Sequence, residues 1–225
     1  MSIYKDCDIR GVYGGELFDG DAYHIGRAIG GMADGGTLLV GGDVRLSTPF
    51  LKRQLINGLR DSGAGVVDFG LIPTPAMYFA LKRRTAAGGV MVTASHNPPD
   101  HNGFKVMLNS AAGRDVIDEI ERRVKINKYP SGSGGYETAD ILPEYINAFI
   151  DDFSGGGLRV AVDAGNGAMG VAAPVALKAR GYDVIELFCG FDGRFPNRCP
   201  NPAEHGVLTA LSDAVKSNGA DLGVG

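Results

Sequence analysis

The chain has 225 residues, of which 44% are hydrophobic and 21% are charged, and its formal net charge at pH 7 is −4. These are ordinary globular proportions, and the length suits one or two domains whose cores need no disulfide support. The three cysteines (Cys7, Cys189 and Cys199) lack the spacing of a metal or disulfide framework. With no basic run, no span-length apolar stretch and no secretory signal, we expect no nucleic-acid or membrane partner and a cytoplasmic location.

Helical and strand-like periodicities alternate along the first 153 residues. Capping residues, glycines and prolines mark where the segments end. The predicted order is helix 19–33, strand 37–40, helix 48–62, strand 65–69, helix 75–84, strand 89–93, strand 104–108, helix 113–125, loop 127–135 and helix 142–153.

Three consecutive glycines (155–157) interrupt this pattern, which then restarts. We predict strand 159–162, helix 168–180, strand 183–187, loop 190–202, helix 203–217 and a final apolar segment over 220–225. The alternation predicts two consecutive α/β domains with mainly parallel mixed sheets flanked by helices. We place the first domain at 1–153 and the second, expected to be truncated, at 154–225.

A polar segment with catalytic potential follows the predicted strand 89–93. Ser95, His96 and Asn97 place a hydroxyl, an imidazole and an amide together, and two prolines follow them. Lys105, a few residues further on, adds an ammonium group. Strand ends in α/β sheets are frequent ligand sites, and these groups suit nucleophilic and acid–base chemistry. Serine and asparagine are also common turn formers, so the residues alone leave both interpretations open.

The same segment resembles the active-site loop of the α-D-phosphohexomutases, the phosphomannomutase/phosphoglucomutase family. Further segments resemble family motifs in the same order along the chain, and together they extend over nearly all of it. They are Asp8–Gly11 (DIRG), Gly42–Ser47, Thr93–Pro98, Asn102–Lys105, Val162–Gly167, Phe195–Asn197 with Pro200–Pro202, and Ala220–Gly223. The chain departs from the family pattern at Cys7, at Gly42 and over Ala203–Gly206.

The resemblance implies that Ser95 carries a phosphoryl group and exchanges it with a hexose phosphate. A hexose 1-phosphate and its 6-phosphate would be interconverted through a hexose 1,6-bisphosphate, which also acts as activator. His96 or Lys105 would move the proton of the sugar hydroxyl, while Arg10, Asn97 and Lys105 would bind phosphate or substrate. Thr93 and Phe104 favour mannose or glucose phosphates over glucosamine phosphate.

The resemblance also implies one Mg²⁺ per active site, bound through the phosphate oxygen on Ser95. The family's metal loop would follow Gly225, as would its sugar-recognition loop and its last domain. We therefore expect this chain to be part of a longer enzyme and to be inactive alone. The sequence does not indicate an oligomeric state.

Two other functions remain open. Gly165, Gly167 and Gly170 fit the GxGxxG pattern between a predicted strand and helix, with Glu186 placed where a ribose-binding acid would lie. Taken alone, this pattern predicts an NAD-binding module. The second alternative is a sugar-phosphate binding protein that retains the serine loop without catalysis.

Overall fold

The computed structural model describes residues 2–108, 113–152 and 155–225, which form two compact units. The first contains the chain up to Ala94 together with Asp100–Asp140. The second contains Ser95–Pro99 together with Ile141–Gly225. The helix that we assigned to the end of the first domain groups with the second unit, and its predicted last residue, Phe153, lies outside the described residues. None of the described helices is long and apolar enough to cross a membrane.

The first unit is a six-stranded sheet with four helices among its described residues. The strand order is β1-β5-β4-β2-β3-β6, in which β4, β2, β3 and β6 are mutually parallel and β5 runs antiparallel to both β1 and β4. This mixed, mainly parallel sheet confirms the predicted fold class. In chain order the elements are β1 Ile9–Val12, α1 Asp19–Met32, β2 Thr37–Gly42, α2 Thr48–Asp61, β3 Gly65–Leu71, α3 Thr74–Arg83, β4 Gly88–Val92, β5 His101–Leu108, α4 Arg114–Ile126 and β6 Tyr136–Thr138.

The core of this unit lies between one sheet face and three helices. Alternate strand residues point to opposite faces, and the buried cluster takes one alternate set together with side chains of α1, α2 and α4. This core set of strand residues comprises Ile9, Leu38, Val40, Val66, Val90, Val92, Phe104 and Leu108. On the opposite face Met77 of α3 packs against Gly41 and Gly89, where an added Cβ would contact its side chain. Arg10 and Lys105 alternate with residues of the core set in their strands, so their side chains lie on this opposite face, which is the α3 face.

Two strands of this sheet were not predicted from the sequence. The three residues of β6 are all exposed, so no hydrophobic pattern marks them. β1 has only four residues, too few to show a clear alternation. β5 starts at His101, three residues before the predicted strand, because Asn102 and Gly103 are buried in the sheet despite their loop-like character.

The second unit contains a three-stranded parallel sheet of order β8-β7-β9. Its described elements are α5 Leu142–Asp152, β7 Arg159–Asp163, a 3₁₀ turn at Ala168–Val171, α6 Ala173–Ala179, β8 Asp183–Leu187, α7 Thr209–Asn218 and β9 Leu222–Val224. The prediction of β8 is confirmed residue for residue.

Two predicted helices in this unit were too long. The segment 168–180 is a 3₁₀ turn followed by a separate helix, with Pro174 in the first turn of α6. Proline lacks the backbone donor that a continuous helix would need there. The predicted helix 203–217 begins only at Thr209, because Gly206 has a φ of 78° that a right-handed helix excludes.

Candidate active site

The strand end from which the segment with Ser95 departs lies at one edge of the first unit's sheet. β2 and β4 are parallel neighbours, so both end at this edge, and β5 begins there because it runs antiparallel to β4. Asp43 follows β2, Thr93 follows β4, and His101 opens β5. The carboxyl ends of parallel strands are the usual ligand-binding edge of an α/β sheet.

Ser95 stands two residues beyond Thr93 in a left-handed backbone conformation, with φ of 53°. This conformation is uncommon for residues other than glycine and is often found at functional sites. Ser95 and His96 are exposed and Asn97 is half-buried, whereas Thr93 and Ala94 are buried. The side chains of Ser95 and His96 therefore face solvent, and the two residues that precede them are buried.

Arg10 and Lys105 lie on the α3 face of two adjacent strands. Arg10 of β1 pairs with Gly103 of β5, and Lys105 follows two residues later on the same face. Both Asp8 carboxylate oxygens accept from the Arg10 guanidinium, at 2.9 Å from Nε and 2.7 Å from the terminal nitrogen. This fork holds the arginine in one orientation while its side chain stays 35% exposed. Lys105 lies in β5, within the predicted strand 104–108.

Gly103 allows β1 and β5 to approach closely. A Cβ built on Gly103 would lie 2.0 Å from the Ile9 carbonyl oxygen and 2.8 Å from the Arg10 Cα. Both obstacles are backbone atoms, so no side-chain rotation could make room. The glycine therefore sets the spacing between the strands that carry Arg10 and Lys105.

Asp43 is the centre of a polar network that reaches the residues on either side of the serine loop (Ala94–Asp100). Its Oδ1 accepts from the Thr48 hydroxyl at 2.7 Å, and its Oδ2 accepts from the Thr93 hydroxyl at 2.7 Å. The Arg45 Nε donates to the same carboxylate at 3.1 Å, and the Arg45 Nη1 donates to the His101 carbonyl at 2.9 Å. Arg45 is only 1% exposed, and its burial lowers the pKa of the guanidinium while Asp43 opposes that shift.

Asn102 extends this network to the start of α2. Its amide nitrogen donates to the Ser47 hydroxyl at 2.8 Å and to the Thr48 hydroxyl at 2.9 Å. Its amide oxygen accepts from the Gly103 backbone nitrogen at 2.8 Å, and the residue is completely buried. A buried amide with all these partners fixes the N-terminal end of α2 against β5.

We had assigned no role to Asp43, Arg45 or Asn102, and had used Thr93 only as an indicator of substrate preference. Asp43 and Arg45 lie in the segment Gly42–Ser47, which we had noted only as a family motif. The available signal was that two charged residues directly follow an apolar strand, a position that parallel-sheet topology brings to the ligand edge.

The glycine-rich turn of the second unit is filled by protein atoms. A Cβ on Gly165 would lie 2.6 Å from the Arg198 Cζ, and one on Gly170 would lie 2.2 Å from the Cys189 carbonyl oxygen. The Arg198 Nε donates to both Asp163 carboxylate oxygens at 2.9 Å in a buried ion pair. The turn is followed by a four-residue 3₁₀ turn instead of a long helix. These contacts give the glycines a packing role and do not favour the dinucleotide-binding alternative.

Comparison with known proteins identifies the family. Models of phosphoglucomutase/phosphomannomutase alpha/beta/alpha domain I and domain II match residues 1–130 and 143–225. A phosphomannomutase/phosphoglucomutase of Pseudomonas aeruginosa is 44% identical over 99% of this chain and 49% of its own length. A phosphoglucomutase of Neisseria meningitidis is 40% identical over 99% of this chain and 50% of its own length.

A solved structure of a phosphoglucomutase/phosphomannomutase family protein from Burkholderia thailandensis superposes with a TM-score of 0.93 at 39% identity. The match covers 98% of this chain and 51% of that one. The chain spans about half the length of the curated relatives it matches. It belongs to the phosphoglucomutase/phosphomannomutase family, whose domains I and II it matches.

Proposed function

We propose that the chain is the phosphoserine-bearing part of a phosphohexomutase, an isomerase that interconverts hexose 1-phosphates and 6-phosphates. Ser95 is the phosphoryl carrier. The observation that most supports this role is its exposed, left-handed position three residues beyond the end of β4, within a family whose matched members are named as mutases. We keep 1–153 and 154–225 as the proposed domains of the enzyme.

The proposed reaction has two transfers in opposite directions. In the first, the bond between phosphorus and the Ser95 Oγ breaks as a free hydroxyl of the hexose monophosphate bonds to the phosphorus, which gives a hexose 1,6-bisphosphate. The hydroxyl proton passes to His96 or Lys105. After the bisphosphate turns around, its other phosphoryl group returns to Ser95 and the proton returns to the departing sugar oxygen.

Cationic side chains on the α3 face suit this chemistry. A phosphoserine carries about −1.5 to −2 charges at pH 7, and phosphoryl transfer depends mainly on positioning and on charge neutralisation. Arg10, already oriented by Asp8, and Lys105 supply positive charge from neighbouring strands. Among the described residues the side chain of Lys105 has no hydrogen-bond or ion-pair partner, which leaves its ammonium group available for a phosphate. Asn97 is proposed to hold the loop or to bind the substrate.

Magnesium would supply further charge neutralisation. The described residues contain no group of three or more His, Cys, Asp or Glu side chains able to hold a metal ion. The one ligand that we assign to this chain is a phosphate oxygen on Ser95, a hard oxygen donor of the kind Mg²⁺ prefers. The described residues do not by themselves form a metal site, so we assign no step to the ion.

A mutase assay on the full-length protein tests this proposal. Mannose, glucose and glucosamine 1-phosphates are supplied separately with a trace of the matching 1,6-bisphosphate, and formation of the 6-phosphate is followed. We expect turnover of the mannose or glucose substrate and a loss of at least about 10³-fold in Ser95→Ala. Ser131→Ala, which changes an exposed serine elsewhere, serves as the control and should keep the wild-type rate.

The assay also distinguishes the non-catalytic alternative. A protein that binds hexose phosphates without converting them would be a binding protein, and the mutase proposal would fail. Saturable NAD binding to the wild-type chain would instead favour the dinucleotide module that the Gly165 turn argues against.

A further inference from the structure

We propose that Arg45 is a positioning residue for Ser95, because its buried guanidinium and Asp43 tie together the two ends of the serine loop. The inference rests on the proposed function of Ser95. The sequence motifs had assigned no role to Arg45.

This hydrogen-bonded set, called the tie, consists of Thr93, Asp43, Arg45 and His101. It joins the residue before the loop to the residue after it. Thr93 precedes the loop and donates its hydroxyl to Asp43 at 2.7 Å. His101 follows the loop, and its carbonyl accepts from the Arg45 Nη1 at 2.9 Å. Asp43 and Arg45 are themselves joined twice, through the Arg45 backbone nitrogen at 3.0 Å and through Nε at 3.1 Å. One continuous chain of bonds therefore runs from Thr93 to His101.

The tie lies where the strand ladder stops. The β4–β5 pairing ends at Val92 and Phe104, with one further bond from the Thr93 nitrogen to the Gly103 carbonyl. Beyond that bond the chain leaves the sheet for the seven residues from Ala94 to Asp100. The left-handed conformation of Ser95 lies above the ordinary backbone minima in energy, so it persists only while its surroundings enforce it.

In this proposal Arg45 acts on the serine through this network and not through contact with the substrate. Because it is 1% exposed, its guanidinium has no surface to offer to a sugar phosphate. Its loss should therefore lower the fraction of molecules in which the serine is correctly placed and leave substrate affinity unchanged. A misplacement of about 1 Å can lower a rate by about 10²-fold. A fall in kcat of about 10- to 100-fold, with KM within about two-fold of wild type, is the expected signature.

The test compares three variants of the full-length protein. Arg45→Lys keeps the charge but cannot hold Asp43 and the His101 carbonyl as a fork. Thr93→Val removes one hydroxyl from the same tie at nearly constant volume, and it decides the question if Arg45→Lys does not fold. Arg27→Lys is the matched control, since Arg27 donates to the Ser62 hydroxyl, the Tyr23 hydroxyl and the Pro130 carbonyl, none of which belongs to the tie.

Two readouts are combined, hydrogen exchange of the amides in 94–101 and the split between kcat and KM. We expect Arg45→Lys and Thr93→Val to exchange these amides at least about 10-fold faster and to lose kcat at constant KM, and Arg27→Lys to do neither. Unchanged loop exchange, or a KM that rises as kcat falls, would overturn the inference. A wild-type protein without mutase activity would refute the proposed function, and the exchange readout alone would then decide whether the tie exists.

Discussion

Replacing Gly103 with alanine tests the link between strand spacing and the site. The new Cβ would lie 2.0 Å from the Ile9 carbonyl oxygen, where ordinary contacts begin at 3.4 Å, so β1 would have to move away from β5 by about 1.4 Å. A movement of that size breaks inter-strand hydrogen bonds, each worth about 1 kcal/mol. Loss of two or three such bonds, offset by about 0.4–1 kcal/mol through the lower entropy of the unfolded alanine chain, predicts a destabilisation of about 1–2.5 kcal/mol.

The assay is thermal or urea unfolding of the chain, with the transition of the first unit assigned by hydrogen exchange in β1 and β5. Gly20→Ala is the control, because Gly20 lies in α1 and a Cβ there would meet nothing within 4 Å. That substitution should be neutral or stabilising by up to about 1 kcal/mol. A Gly103→Ala protein within about 0.5 kcal/mol of wild type would refute the claim that this glycine sets the spacing beneath Arg10 and Lys105.

Two further predictions concern the first unit. In Gly58→Ala the added Cβ would lie 2.1 Å from the Tyr23 carbonyl oxygen, so α1 and α2 must separate, and we expect urea unfolding to show a loss of about 2 kcal/mol or more. Wild-type stability would mean that these helices separate easily. Hydrogen bonds from Arg122 and Arg123 lower the pKa of Glu119 to about 2. Its stabilisation is therefore present above the unfolded pKa near 4.5 and is lost as the pH falls towards 2. Because solvent screens this exposed pair, Glu119→Gln should lower the free energy of unfolding at pH 7 by only about 1 kcal/mol or less. It should also flatten the acid limb of a stability–pH curve, and an unchanged acid limb would contradict this assignment.

Much of the architecture was predictable because long periodic segments carry their own signal. α1, α2 and α4 have one face buried in a common core, and their predicted bounds agree with the structure to within one or two residues. The errors fell where local pattern does not decide structure. The exposed strand β6 has no hydrophobic pattern and is defined by its pairing with β3, and the predicted helix over 203–217 loses its first turns to Gly206.

The sequence proposed candidate site residues where a motif contains them. Ser95, His96 and Asn97 stand together in one motif, and their roles stay predictions. Asp43 and Asn102 are far apart in the chain and approach each other only because β2, β4 and β5 lie side by side. No local pattern contains that pairing order, which is why the network around Asp43 emerged only from the structure.

Whether Ser95 carries the phosphoryl group is tested by the intact mass of the full-length protein after incubation with a hexose 1,6-bisphosphate. We expect a gain of one phosphoryl group, mapped by peptide fragmentation to Ser95 and removed again by excess hexose monophosphate. A phosphoryl group on another residue, or the same gain in Ser95→Ala, would contradict it.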